Sequence, residues 1–179
     1  MKKLETFNLG QINTVNSSVA MAEELVSNFY KMSASQWLRP RYDIKTLADL
    51  NKEEIVCGPF AQIIRYRGQR KNAFLGSSLY DFYKICLQDH SILSALKRSP
   101  DIKLFAFILY IITHELIHIV RFSRFLQNFD ASPDEKMAEE RRVHKSTGKI
   151  LEPVKVPGLP DVFRFYNRWR TDFDELQNS

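Results

Sequence analysis

The chain predicts an α+β fold that is predominantly helical, compact, and furnished with at most a small β-sheet or hairpin. Three observations carry that expectation. Most apolar residues recur at helical spacing in stretches longer than strands usually run. The most hydrophobic window, Leu104 to Val120, is too long for a strand yet short of the roughly 20 apolar residues that span a bilayer. Only Phe60 to Tyr66 has an apolar pattern that fits extended structure as well as helix. At 179 residues the chain has room for one domain with a real core, so residues 1–179 are read as a single domain.

Residues 1–16 are polar and read as irregular; Val19 to Tyr30 then places Met21, Leu25 and Phe29 on one helical stripe. Pro40 breaks the chain, a short helix is expected at Thr46 to Asn51, and Gly58-Pro59 breaks it again. Phe60 to Tyr66 is a short helix or the first arm of a hairpin. Ser77 or Ser78 opens a helix to about Leu96, with Leu79, Phe82, Tyr83, Cys86 and Leu87 on its apolar face and His90 further along.

Ser99-Pro100-Asp101 combines a cap, a proline and a first-turn acid, predicting a helix from there to about Gln127. Asn128 to Ala131 turns the chain. Ser132-Pro133-Asp134-Glu135 then supplies a capping box, which engages Glu135. In the helix that follows, Met137 and Val143 point inward with Glu140 between them, while Glu139 is expected on the far side. Residues 151–160, rich in proline, form an extended connector, and a last helix from Asp161 to Phe173 docks through Val162, Phe163, Phe165, Tyr166 and Trp169.

The N-terminus is basic but lacks an apolar signal region, so a cytoplasmic protein without membrane insertion is expected. Cys57 and Cys86 have neither the number nor the spacing of a disulfide framework or a cysteine metal site. The net charge of +5 concentrates late in the chain, where the arginines alternate with Asp161, Asp172, Asp174 and Glu175. That reads as a solvated basic surface, with no specific nucleic-acid partner.

Chemistry enters at His114-Glu115-Leu116-Ile117-His118. Residues at i and i+4 of a helix stand one above the other, so His114 and His118 can offer two imidazole nitrogens to one Zn²⁺, with Glu115 alongside as the general base. Three polar groups inside so apolar a run are costly to bury unless they are paired or bound to metal. Helical phase selects Glu140 as the third ligand, over Glu139 and His144; His144 lies on the same face, to support a ligand or replace Glu140. His90, among polar neighbours, is read as a satisfied histidine. Tyr110 and Arg121 fall near the pair, Tyr110 as a packed tyrosine and Arg121 either clamping a substrate carboxylate or pairing with a structural acid.

The pattern resembles the metal-binding helix of zincin metallopeptidases, over about residues 100 to 148. In the glutamate-ligand branch of that group the third ligand comes from a later helix, often as ExxxD. The counterpart here is Glu140-Arg141-Arg142-Val143-His144, with His144 where the supporting aspartate would stand. The resemblance implies a zincin-like domain, a zinc cofactor, a peptide or protein substrate, and an edge strand beside the cleft, for which Phe60 to Tyr66 is the candidate. Two rivals are weighed. A non-enzymatic helical interaction module would use a structural zinc closed by four ligands, His144 among them. A two-metal carboxylate bundle would need a second ExxH, which the chain lacks.

Overall fold

The computed structural model describes residues 2–33, 41–69 and 79–177. Among them are five helices and three strands: α1 (Leu9–Phe29), β1 (Arg41–Lys45), β2 (Ala61–Gln69), β3 (Leu79–Leu87), α2 (Asp89–Arg98), α3 (Leu104–Ser123), α4 (Pro133–Leu151) and α5 (Leu159–Gln177). The fold is α+β and predominantly helical, with one three-stranded mixed sheet of order β1-β3-β2. The break expected at Pro40, the helix start expected at Ser77 or Ser78, and the docking of Trp169 lie outside what is described.

Helix α3 is the hub. Its buried set runs almost without interruption from Ala106 to Val120, and α1, α4, α5 and β2 pack around it. It is long and apolar enough to cross a membrane, but its side chains face the interior of this fold. The expected start at Ser99 is overturned: residues 99–102 form a turn closed by Ile102 N–H donating to the Ser99 carbonyl, and α3 begins at Leu104 without a side-chain cap. Burial on every side makes a strong cap unnecessary.

At its other end α3 stops at Ser123. Phe125 takes a left-handed φ of 55°, its N–H donates to the Phe122 carbonyl, and the Leu126 N–H donates to the Arg121 carbonyl. This is a Schellman closure with phenylalanine where glycine is usual. It reverses the chain, so Gln127 returns toward the last turns of α3 instead of continuing away.

Helix α1 starts at Leu9, not near Val19. Asn8 and Gln11 form a reciprocal capping box, with each side chain accepting from the other's backbone N–H at 2.8 and 2.9 Å. The inward stripe is Val15, Ser18, Ala22 and Val26. Ser18 hides that stripe in the sequence; its hydroxyl is satisfied by the Thr14 and Phe105 carbonyls.

The largest correction concerns residues 79–96. One helix was expected; the chain instead forms β3, then α2 after Gln88. β3 is the central strand, parallel to β1 and antiparallel to β2. Its run Tyr83, Ile85, Cys86, Leu87 is buried almost completely, and covered strands lose the alternation that marks strands in sequence. Asp89 fixes the junction by accepting from the Phe7 and Leu47 backbone N–H groups, both at 2.9 Å. The expected short helix at Thr46 to Asn51 is a single 3₁₀ turn, Leu47–Asp49.

The Ser132 capping box is present as expected, with Pro133 at the first helical position. Helix α4 passes through Gly148 to Leu151, and α5 begins at Leu159, so the connector is shorter than residues 151–160. Gly158 sits at φ 85°, a conformation that favours glycine, and an added Cβ would press on the Lys103 side chain at 3.1 Å. Val162 and Tyr166 are buried, so α5 docks on the body as expected.

One ionic cluster lies under the sheet. Glu54, 2% exposed, accepts from Lys84 Nζ at 2.8 Å, from the Tyr66 hydroxyl at 2.6 Å and from the Asn51 N–H at 2.8 Å. The Lys84, Tyr66 and Asn51 hydrogen bonds lower its carboxyl from 4.5 to about 2, against the opposing effect of burial. A depressed folded-state pKa contributes stability that is complete above 4.5 and is lost as pH falls toward about 2. Denaturant titrations between about pH 6 and pH 3 should therefore show Glu54→Gln with a lower plateau and a shallower acid loss than wild type; parallel curves would contradict this assignment.

Candidate metal centre

His114 and His118 project from α3 one helical turn apart, both buried, at 7% and 5% exposure. Their Nε2 atoms face each other at 3.2 Å. Glu140 reaches across from α4, placing Oε2 3.1 Å from His114 Nε2 and Oε1 2.9 Å from His118 Nε2. Three ligand atoms thus converge from two helices. Zinc bonds of 2.0–2.1 Å at tetrahedral angles put neighbouring ligand atoms about 3.3 Å apart. The Nε2–Nε2 spacing, and the distance from each imidazole to its own carboxylate oxygen, lie close to that edge length, and two imidazoles with a carboxylate are a donor set zinc accepts.

Charge couples the three groups. Burial opposes a charged His118, but Glu140 and Glu115 outweigh it and raise the imidazole pKa. Burial likewise opposes ionised Glu140, yet its bonds to His114 and His118 hold its carboxyl well below the usual range. A positive charge between the imidazoles and the carboxylate is what this arrangement favours, and a divalent cation supplies it.

The supporting contacts are partly of a kind the sequence concealed. His118 Nδ1 donates to Gln127 Oε1 at 2.9 Å, which puts the proton on Nδ1 and leaves the Nε2 lone pair facing the centre. Gln127 has no motif; it arrives there only through the Phe125 turn. Gln127→Ala is expected to weaken zinc binding about 10- to 100-fold, measured by competition with a chromogenic chelator, while Gln127→Glu restores it. Unchanged affinity in the alanine variant would remove Gln127 from this role.

His144 lies beside both His114 and Glu140. Its ring packs against His114 at 4.3 Å between centroids, and its Nδ1 is hydrogen-bonded to the buried Tyr110 hydroxyl at 2.8 Å. His114 Nδ1 is buried without a hydrogen-bond partner. His144 Nε2 lies 3.9 Å from Glu140 Oε2, and His144 is outside the three-residue cluster. Tyr110 stacks on Tyr166 of α5 with centroids 4.0 Å apart, so the C-terminal helix helps to hold the His144 ring.

The expectation that Glu139 faces away is overturned. Glu139 is 4% exposed, where it pairs with Arg121 of α3 and accepts from Arg142 at 3.1 Å. Glu140, by contrast, has half its side chain exposed and reaches the histidines along the helix rim. Two adjacent glutamates therefore both face α3, one toward Arg121 and one toward the histidines. Arg121 is thereby paired with a structural acid. His90 is remote from the cluster, and its Nε2 donates to the Val56 carbonyl at 3.1 Å.

These side chains open into a cleft of about 620 Å³ that is also lined by Glu115, His144 and residues 58–63. Burial raises the Glu115 carboxyl above its usual range, against the lowering pull of His114 and His118. The segment the sequence left between helix and strand is β2. It pairs with β3 on one side and has no partner on the other among the described residues, so an edge strand borders the cleft. No protein-family profile, curated protein or solved structure matches the chain.

Proposed function

We propose that the chain is a zinc-dependent hydrolase, a small metallopeptidase of zincin type in which His114, His118 and Glu140 hold the metal. The observation that carries this reading is the convergence of two Nε2 atoms and one carboxylate at near-tetrahedral spacing, with Glu115 on the same cleft. Zinc in such a site supplies Lewis acidity and lowers the pKa of water.

The chain's own groups do the remaining work. Glu115 takes the proton from the attacking water and passes it to the leaving nitrogen. Gln127 keeps His118 in the tautomer that ligates. An extended peptide adds to the open edge of β2, which aligns its backbone while Phe60, Ile63 and Phe122 exclude water around it.

The competing reading, a helical interaction module pinned by structural zinc, requires a fourth protein ligand. His144 is a candidate donor, and its position outside the three-residue cluster favours an open site. Protein purified without added metal should carry near-stoichiometric zinc by elemental analysis, and should cleave members of an unbiased peptide library in a chelator-sensitive manner. Bound zinc with no cleavage anywhere in the library would favour the structural module instead.

A further inference from the structure

A second cavity, also about 620 Å³, lies on the far side of Gly58 and Phe60, two residues that line the metal cleft as well. One wall is a polar stripe of α2, Ser91, Ser94 and Arg98 at i, i+3 and i+7, joined by Ser99 and His90; Phe60, Ala95 and Phe165 supply the apolar remainder. No acidic residue lines it, and among the described residues no carboxylate pairs with Arg98. His90 donates from Nε2 to the Val56 carbonyl, which holds its ring in the cavity wall.

A cation and three hydroxyls suit one chemical group, a carboxylate. Gly58, at φ 107° with open space where a side chain would stand, keeps the rim between the two cavities low. We propose that this second cavity receives a carboxylate of a peptide whose scissile bond lies at the metal centre, on the leaving-amine side. The site rests on the hydrolase reading for its placement.

Direction follows from β2. The strand starts at Ala61, three residues after Gly58, so a peptide antiparallel to its open edge sends its C-terminal portion toward the second cavity. The reverse orientation would bring the peptide's N-terminal portion toward Arg98. Arg98 favours the first. The carboxylate is then either the peptide's C-terminus or an acidic side chain close to it.

Binding can be read without turnover. The chain has four histidines, so the His90 imidazole signals in a nitrogen-correlated NMR spectrum are assignable by comparison with His90→Gln. The probes are N-acetylglycylglycine, its C-terminal amide, and N-acetylglutamate amide, each added to the full-length protein. At least one acid should shift the His90 signals while the neutral amide does not, and whichever acid acts identifies the carboxylate as terminal or side-chain. Arg98→Gln, at an exposed position, should leave the fold intact and weaken that acid about tenfold. No response to either acid, an equal response to the neutral amide, or unchanged affinity in Arg98→Gln would overturn the proposal. A protein that binds the acid here yet cleaves no peptide would contradict the hydrolase reading and leave this site standing.

Discussion

Glu115→Gln is expected to retain zinc and to lose hydrolysis by about 10²- to 10⁴-fold, the range that a positioned general base contributes. The amide keeps nearly the shape of the carboxylate but cannot accept a proton from water. Because Glu115 lies beside the ligands without belonging to the three-atom cluster, its replacement leaves His114, His118 and Glu140 in place. The two readouts must therefore separate: metal content near that of wild type by elemental analysis, and turnover close to background on whichever library peptide the parent cleaves. Wild-type turnover in the variant would exclude the general-base mechanism; loss of zinc would mean that Glu115 helps to hold the metal.

The adjacent pair Glu139 and Glu140 should divide in the opposite way. Glu140→Ala removes a carboxylate that is half exposed and bonds both histidines, so it should release zinc while costing the apoprotein little stability. Glu139→Ala removes the buried partner of Arg121, whose side chain is only 18% exposed, and leaves that cation unpaired beside the core. Breaking one side of a buried ion pair costs about 3 kcal/mol or more. Chelator competition and urea denaturation of both variants check this: affinity should fall in the first and stability in the second. A reversal, with Glu139→Ala losing zinc and staying stable, would exchange the two roles.

The contrast between these neighbours marks how far sequence reaches. Helical phase was enough to set His114 above His118 on one helix and to pick Glu140 out of another, because each choice depends on the local geometry of a regular helix; their meeting is a tertiary contact. The same wheel put Glu139 on the far side. A wheel fixes the angle of a Cβ; it does not include a long side chain bending toward a cation, and Arg121 sits on another helix. Glu139 became a buried residue only once α3 and α4 had packed.

Residues 79–96 show the same limit for the fold. Their apolar residues satisfy helical spacing, yet β1 and β2 pair with both edges of β3, and hydrogen bonding by partners distant in sequence overrides the local pattern. Phe60 to Tyr66 was open between helix and strand for the same reason and was decided by β3. The capping box at Ser132, by contrast, was legible because its donors and acceptors lie within four residues.

What the sequence by itself determined, then, was the predominantly helical class, the α4 start, the apolar face of the last helix, and the choice of His114, His118 and Glu140 within their own helices. Each rests on short-range periodicity or capping chemistry. Tertiary structure alone decided the mixed sheet, the edge strand beside the cleft, the Gln127 support behind His118, the Tyr110–His144 pair and the second cavity against α2. Each of these joins groups far apart along the chain, and their meeting depends on where packing brings separate elements together.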